Sequence, residues 1–240
     1  MNLNKYIDQT LLRPDANKHD IRQLCAEALE HNFAAVCISP IWVSLATDLL
    51  AGSDVATCTV IGFPTGAHLP RVKLAEAHLA LADKAQELDT VINIAAVQAR
   101  DKSMLRADIE PLAQAAHANG AILKVILETA LLSDDDILFA SSCCWEFGAD
   151  FIKTSTGMLK GENSGASIHA VHLMEASRRE IESASRDNRS EIRTRGIKAS
   201  GGIRDRATAL AMIEAGATRI GTSSGAAIVG NKISDSINTY

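Results

Sequence analysis

The stretch Phe151-Ile152-Lys153-Thr154-Ser155-Thr156-Gly157 combines an apolar strand with a lysine inside it and a polar turn directly after it. A lysine inside a hydrophobic strand is costly unless it pairs with an acid or is neutral. Lys153 is therefore either a structural lysine paired with a buried carboxylate or an amine nucleophile that attacks a carbonyl. Burial and a nearby positive charge favour the neutral amine that the second interpretation requires. This stretch alone leaves both interpretations open.

Similar apolar stretches lie on both sides of this one, and segments with a helical spacing of apolar residues separate them. The stretches are mostly apolar on both faces, as parallel strands covered by helices should be. The eight predicted strands are Ile7–Leu12, Ala34–Ile38, Val55–Ile61, Leu88–Asn93, Ile122–Glu128, Phe151–Ser155, Ile197–Ser200 and Arg219–Thr222.

Eight strand–helix units in a chain of 240 residues predict a closed (β/α)8 TIM barrel. A doubly wound open sheet is the alternative, but no Gly-x-Gly-x-x-Gly motif follows the first strand. We predict a single barrel domain over residues 1–230 and a polar C-terminal tail over residues 231–240. The charged segment 183–195 is longer than the fold needs, and we predict an extended helix end or a mobile loop there.

The composition excludes several classes of partner. The chain is 47% hydrophobic and 22% charged, which is ordinary for a globular protein. A net charge of -5 gives no electrostatic footprint for nucleic acid. No apolar run reaches the roughly 18 residues of a membrane span, and the first five residues begin no hydrophobic signal segment. We expect a cytoplasmic protein with no nucleic-acid or membrane partner.

The cysteines and histidines predict neither a disulfide framework nor a metal site. The five cysteines are an odd number without framework spacing, which indicates free thiols in a reducing cytoplasm. His169 and His172 share a predicted helix face, but the sequence offers no third ligand beside them, so we interpret both as surface histidines.

Polar residues occur within or at the ends of several of these apolar strands. In a barrel of this kind, functional side chains lie at the C-terminal ends of the strands. A single polar site at the barrel mouth accounts for all of them together, whereas a structural explanation must pair each one separately. The residues are Asp8, Asp89, Asn93, Lys124, Glu128, Lys153, Lys198 and Ser200.

Lys198 is the most important of these after Lys153. We place the two lysines two strands apart, where alternate strands fill one layer of the barrel interior, so that the two amines approach each other. A like charge about 4 Å away contributes on the order of 4 kcal/mol at an effective dielectric of 20, enough to favour a neutral Lys153. Asp89, two strands before Lys153, joins the same layer as a proton shuttle or as a structural ion-pair partner.

Two glycine-rich turns follow the last two strands and predict a phosphate site. They are Ser200-Gly201-Gly202-Ile203-Arg204 and Gly221-Thr222-Ser223-Ser224-Gly225. Glycines let the backbone approach an anion closely, and amides at a helix start point toward it. The loops after strands seven and eight are the usual phosphate site of this architecture. Tight turns without a ligand are the alternative.

Long motifs throughout the chain resemble those of the deoxyribose-phosphate aldolase family. They occur in order from Ile7 to Val229 and so cover nearly the whole chain. The segments 100–102 and 183–195 depart from the family pattern, but neither overlaps these motifs. The motifs are Asp8–Leu12, Cys58–Pro64, Leu88–Asn93, Leu123–Thr129, Lys153–Gly157, Lys198–Arg204 and Gly216–Ser224.

The resemblance implies a class I aldolase that reversibly cleaves a small phosphosugar, 2-deoxy-D-ribose 5-phosphate, to glyceraldehyde 3-phosphate and acetaldehyde without a metal or other cofactor. Lys153 would form the Schiff base, and Asp89 and Lys198 would be the proton donor/acceptor pair. The enzyme would be a homo-oligomer, a dimer or a tetramer. The residues that match the family's phosphate site are Gly157, Gly201, Gly202, Arg204, Gly221, Ser223 and Ser224.

Two other functions stay open at this point. One is a Schiff-base aldolase of the same superfamily that acts on another phosphorylated sugar, and the other is a non-catalytic barrel that binds a phosphosugar. The C-terminal residue adds a hypothesis of its own. Some proteins that resemble this one end in a tyrosine on a tail that folds over the site, so Tyr240 is a candidate to assist proton transfer.

Overall fold

The computed structural model describes residues 1–161, 164–187 and 195–230, and its strands form one closed parallel barrel. Each strand pairs with the next strand along the chain, and the last pairs with the first. This arrangement confirms the predicted fold class. The strands are β1 Ile7–Leu11, β2 Ala35–Ile38, β3 Ala56–Ile61, β4 Glu87–Val91, β5 Ile122–Ile126, β6 Phe151–Lys153, β7 Gly196–Ser200 and β8 Arg219–Thr222.

Helices connect consecutive strands on the outside of the barrel. Polar side chains define where several of them begin: Asn17 and Ser133 each form a capping box with the aspartate three residues later. No helix in the described ranges is long and apolar enough to cross a membrane. The α-helices are α1 Lys18–Glu30, α2 Val43–Leu50, α3 Pro70–Ala82, α4 Ile94–Gln98, α5 Lys102–Ala118, α6 Asp134–Glu146, α7 Ile168–Asp187, α8 Arg206–Glu214 and α9 Gly225–Val229.

Four strands end earlier than predicted, at the end of the barrel where functional groups are expected, and β1 is shorter by only one residue. The β5 strand ends two residues before Glu128, and β6 ends at Lys153 itself. The β4 strand ends at Val91 because the side chain of Asn93 caps the short helix α4, accepting a hydrogen bond from the Ala96 amide at 3.1 Å. The sequence analysis did not predict α4.

Lys153 and Lys198 lie on adjacent strands, so the prediction that they are two strands apart is wrong. The strands β6 and β7 are consecutive along the chain and bond directly to each other, with Lys153 and Lys198 as register partners. Register partners on parallel strands face the same side of the sheet, so the two side chains enter the barrel interior next to each other.

The barrel interior divides into an apolar side and a charged side. Alternate residues of β2 and β3 form a small buried apolar cluster of Ala35, Cys37, Cys58 and Val60. The strands β1, β4, β5, β6 and β7 each carry a buried acid or base, and β8 carries Arg219, which is partly buried. The outward-facing residues of the strands belong to the main core between the sheet and the helices, for example Val36, Leu88, Val125, Ile152 and Ile220.

The charged segment 183–195 is described in part. Helix α7 continues to Asp187, which agrees with an extended helix end, while residues 188–194 lie outside the described residues. The predicted tail, residues 231–240 with Tyr240, also lies outside them. The hypothesis for Tyr240 therefore stays a prediction from sequence.

Candidate active site

Asp89 is the centre of the charged side of the barrel, and it is fully buried. Its Oδ2 accepts hydrogen bonds from the Nζ atoms of Lys153 and Lys198 at 2.9 and 2.8 Å. Its Oδ1 accepts from Lys124 Nζ at 2.8 Å and from Cys58 Sγ at 3.2 Å. The three residues expected to carry the chemistry, Asp89, Lys153 and Lys198, are therefore in direct contact.

A second set of charges lies next to Asp89 and extends the network. Lys198 Nζ is 2.5 Å from Asp8 Oδ2, and Lys124 Nζ is 2.5 Å from Glu87 Oε2. Arg219 joins the two acids, since its NH2 nitrogen is 2.5 Å from Asp8 Oδ1 and 3.0 Å from Glu87 Oε2. The buried lysines are thus held between the carboxylate of β1 and those of β4.

Sequence reasoning missed Glu87 and Arg219. The signal was present in the alternation of strand residues. Glu87 precedes Asp89 by two positions, and Arg219 precedes Gly221 by two positions. Because strand side chains alternate between the faces with a period of two, residues two apart share a face. The predicted fourth strand began at Leu88 and so left Glu87 out, whereas Arg219 was the first residue of the predicted eighth strand.

The network determines the charge state of most of its members. Burial alone would raise the pKa of Asp89, but the charges of Lys124, Lys153 and Lys198 hold it well below its ordinary value. Burial alone would lower the pKa of Lys198, but Asp8 and Asp89 raise it. Asp89 is therefore an anion and Lys198 a cation at neutral pH, each stabilised by the other.

Two cysteines lie beside Asp89, and the three side chains have the spacing of a metal site. Cys37 and Cys58 are register partners on β2 and β3, and their sulfurs and an Asp89 oxygen lie within 4.8 Å of one another. The donor set does not fit a cation, however, because three lysine Nζ atoms already bind the Asp89 carboxylate. All five cysteines of the chain are buried free thiols.

The two predicted surface histidines lie outside this region. His169 and His172 are both exposed on α7. The Nε2 of His169 lies 2.8 Å from Asp134 Oδ2, in a pair that is itself exposed.

A pocket of about 250 Å³ opens above Lys153 and joins it to the glycine-rich turns. Six of the seven predicted phosphate residues line this pocket: Gly157, Gly201, Gly202, Arg204, Gly221 and Ser223. The remaining residue, Ser224, is not in the lining. Three further lining residues, Ser200, Ile203 and Thr222, belong to the predicted glycine-rich turns. The sequence analysis did not assign the remaining four to the site: Thr10, Leu12, Thr156 and Met158.

Glycine is required in the pocket for two different physical reasons, backbone conformation and space. Gly157, Gly201 and Gly202 have φ values of 78°, 88° and 80°, a conformation that favours glycine. Gly221 instead provides space, because a Cβ there would lie 2.9 Å from Lys198 Cε. Gly221 thus allows Lys198 to reach Asp8 and Asp89.

The start of α9 has fewer amides available for an anion than the sequence suggested. The Ser224 amide donates to Thr222 Oγ1 at 2.9 Å, and the Gly225 amide donates to Gln9 Oε1 at 3.0 Å. Both amides are therefore engaged within the protein. Ser223 is the serine of this turn whose position faces the pocket.

The remaining polar residues of the predicted site divide into two groups. Asp8 and Lys124 belong to the network around Asp89. Ser200 donates to the backbone oxygen of Ser155 at 2.6 Å and lines the pocket. Glu128 contacts Thr156 at the pocket wall, whereas Asn93 caps α4 and takes no part in the network.

A family model described as DeoC/LacD family aldolase matches residues 3–231 of the chain. The chain belongs to this family of aldolases. The buried Asp89 network and the adjoining glycine-rich pocket are therefore a site inside the barrel of an aldolase of this family.

Two bacterial deoxyribose-phosphate aldolases are similar to this chain over nearly their whole length. The deoxyribose-phosphate aldolase of Brevibacillus brevis is 48% identical over 229 residues, which cover 95% of this chain and 96% of that protein. The deoxyribose-phosphate aldolase of Micrococcus luteus is 49% identical over 235 residues, with the same two coverages.

A solved family structure is similar in fold as well. The tetrameric deoxyribose phosphate aldolase of Aeropyrum pernix superposes with a TM-score of 0.82 at 32% identity, covering 95% of this chain and 89% of that one.

Proposed function

We propose that this chain is a class I deoxyribose-phosphate aldolase, a lyase that reversibly cleaves 2-deoxy-D-ribose 5-phosphate to D-glyceraldehyde 3-phosphate and acetaldehyde. One observation carries the proposal. Lys153 contacts both the buried Asp89 network and a pocket whose other walls are the glycine-rich turns. An amine for the carbonyl end and an anion site for the phosphate end are what this substrate requires.

The reaction begins with imine formation at Lys153. The neutral amine attacks C1 of the open-chain aldehyde, and the resulting carbinolamine loses water to give a protonated imine. Lys198 remains a cation during this step because Asp8 and Asp89 raise its pKa. Lys198 donates to the same Asp89 oxygen as Lys153, so its positive charge lies next to the reacting amine.

The carbon–carbon bond then breaks between C2 and C3, since acetaldehyde carries away C1 and C2. The C3 hydroxyl loses its proton, the C2–C3 electron pair moves toward the imine nitrogen, and glyceraldehyde 3-phosphate leaves an enamine on Lys153. Lys198 donates a hydrogen bond to Asp89, and we assign to this pair the acceptance and return of protons through a water molecule. Protonation of C2 and hydrolysis of the imine release acetaldehyde.

The phosphate end occupies the glycine-rich part of the pocket. Gly157, Gly201 and Gly202 let the backbone approach the phosphate, and the Arg204 guanidinium adds positive charge at the pocket wall. Gly221, Ser223 and Ser224 complete the proposed phosphate set from the sequence. The Ser224 hydroxyl would have to supply its contact, because its amide already binds Thr222.

A retro-aldol assay tests the function. Purified protein with 2-deoxy-D-ribose 5-phosphate should release acetaldehyde, detected with alcohol dehydrogenase and NADH, and Lys153→Leu should release none. Turnover of another phosphorylated sugar in place of this one would support a different Schiff-base aldolase. Binding of the phosphosugar without turnover of any substrate would support a binding barrel.

We further propose that the enzyme acts in the cytoplasm as a homo-oligomer, a dimer or a tetramer. A tetrameric family structure supports the oligomer, and the free thiols support a reducing compartment. Light scattering after gel filtration measures the oligomeric state directly, and a mass of one chain would contradict this part of the proposal.

A further inference from the structure

Glu128 is a buried acid behind the pocket residue Thr156, and the proposed mechanism does not use it. It follows β5 by two residues and is 2% exposed. Its backbone is left-handed, with φ 56° and ψ 59°. Non-glycine residues seldom adopt this conformation, and residues that do cluster at functional sites. The backbone amides on either side of Glu128 donate to the end of β6 and the residue after it. The Leu127 amide donates to the Lys153 oxygen at 2.8 Å, and the Thr129 amide donates to the Thr154 oxygen at 2.9 Å.

These backbone bonds hold Glu128 opposite the turn that follows Lys153. Its Oε2 accepts two hydrogen bonds from one residue, Thr156, from the amide at 3.2 Å and from the hydroxyl Oγ1. Thr156 lines the same pocket as Lys153. The left-handed residue therefore anchors the part of the pocket wall between the Schiff-base lysine and Gly157.

The hydrogen bonds of the Thr156 hydroxyl determine what it offers to a ligand. A hydroxyl has one hydrogen to donate and two lone pairs to accept with. The hydrogen is donated to Glu128 Oε2, and one lone pair accepts the Met158 amide at 3.1 Å. The second lone pair is left for the pocket. With Glu128 in place, Thr156 can accept a hydrogen bond from a ligand but cannot donate one.

An acceptor at this position distinguishes the two ends of the substrate. Phosphate oxygens are themselves acceptors and are repelled by it, whereas a sugar hydroxyl can donate to it. In the proposed reaction C1 is bound to Lys153 and the phosphate on C5 lies at the glycines, so Thr156 faces the carbons between them. The C3 hydroxyl transfers its proton toward Asp89, which leaves the C4 hydroxyl for Thr156.

We infer that Glu128 is a positioning residue for this reaction: it fixes the Thr156 hydroxyl as an acceptor for the C4 hydroxyl of the sugar. The inference rests on the proposed function. Its support is geometric, because Glu128 is 2% exposed and both hydrogen bonds to its Oε2 come from Thr156. The second carboxyl oxygen of Glu128, Oε1, has no hydrogen-bond partner among the described residues. Burying it therefore costs stability, which suggests a functional reason for this residue.

The aldol direction isolates the C4 hydroxyl. Acetaldehyde is added either to D-glyceraldehyde 3-phosphate, whose C2 hydroxyl becomes the C4 hydroxyl, or to 3-oxopropyl phosphate, which lacks that hydroxyl. The wild type should prefer glyceraldehyde 3-phosphate in kcat/KM by about tenfold or more, because an unpaired buried acceptor penalises the analogue. Glu128→Leu should lose most of this preference, and Glu128→Gln, which keeps an acceptor oxygen, should retain it.

Two further measurements separate this role from a structural one. Thr156→Val should lose the preference as Glu128→Leu does, and the double variant should lose no more than either single one. Exchange of acetaldehyde methyl protons with deuterated water needs Lys153 but no sugar hydroxyl, so it should continue at the wild-type rate in Glu128→Leu. Loss of that exchange, or an unchanged preference in Glu128→Leu, overturns the inference. Absence of any aldol activity in the wild type would instead contradict the proposed function.

Discussion

Lys153 and Lys198 are register partners on adjacent strands, and their Nζ atoms donate to the same oxygen of Asp89. Lys198 also binds Asp8, and these two acids raise its pKa. In the contacts that link the network, four basic side chains face three carboxylates: Lys124, Lys153, Lys198 and Arg219 against Asp8, Glu87 and Asp89. Lys153 is the member of this network that also lines the pocket.

Lys153 should be the lysine that acetaldehyde modifies. Treatment with acetaldehyde and borohydride should attach one ethyl group to it, because its amine alone among the network lysines lines the pocket. Peptide mapping by mass spectrometry locates the group. Lys124 and Lys198 serve as internal controls, since both are fully buried, and an adduct on either in the native enzyme would show that the assignment is wrong.

Replacing Lys198 with leucine should reduce turnover by about 100-fold or more, within the range of a lost acid–base group. The variant removes the cation that binds the same Asp89 oxygen as Lys153. Retro-aldol rates should be compared with those of Lys73→Met, which breaks another buried lysine–aspartate pair, Lys73–Asp108 at 2.7 Å between α3 and α5. Both variants should lose stability, but only Lys198→Leu should lose turnover. Equal turnover losses would mean that Lys198 acts through stability alone.

Asp8 should stabilise the barrel at neutral pH and lose this effect in acid. Burial alone would raise the pKa of Asp8, but Arg219, Lys198 and Lys124 lower it. A lowered pKa in the folded state means that the carboxylate stabilises the fold above its unfolded value of about 3.9, and that the effect disappears as the pH falls through the folded value. Asp8→Asn should therefore cost about 3 kcal/mol at neutral pH.

Urea unfolding of wild type and Asp8→Asn at several pH values measures this difference in free energy. The difference should stay constant from neutral pH down to about pH 5 and shrink below about pH 4. Asp54→Asn, a change at an exposed aspartate, is the matched control and should have little effect at any pH. A difference for Asp8→Asn that does not change with pH would contradict the prediction.

Ser223→Asp should weaken binding of the phosphorylated substrate selectively. Ser223 is exposed and lines the pocket beside the glycine-rich turns, so an aspartate there would repel a phosphate dianion. We expect the KM for 2-deoxy-D-ribose 5-phosphate to rise about tenfold or more, and that for 2-deoxy-D-ribose to change little. Ser223→Ala removes the hydroxyl without adding charge and should have a smaller effect. Equal losses on both sugars would place the phosphate elsewhere.

The periodicity of the sequence determined the barrel, because apolar strands and amphipathic helices alternate in a fixed order and such units close in few ways. Lys153, Lys198 and Asp89 were also identifiable, since charged residues inside apolar strands need partners. The predicted strand ends were less accurate. Asn93 and Glu128 were assigned to strands, but Asn93 caps a helix and Glu128 lies in a left-handed turn.

Only the tertiary structure decided which charges meet. Register places Lys153 beside Lys198, and barrel closure brings Asp8 and Arg219 from the two ends of the chain together with Glu87 from its middle. Such contacts depend on the pairing of strands far apart in sequence, which local propensities do not contain. The same reason explains Glu128 and Thr156: 28 residues separate them, and only the packing of β5 against β6 lets one determine the hydrogen bonding of the other.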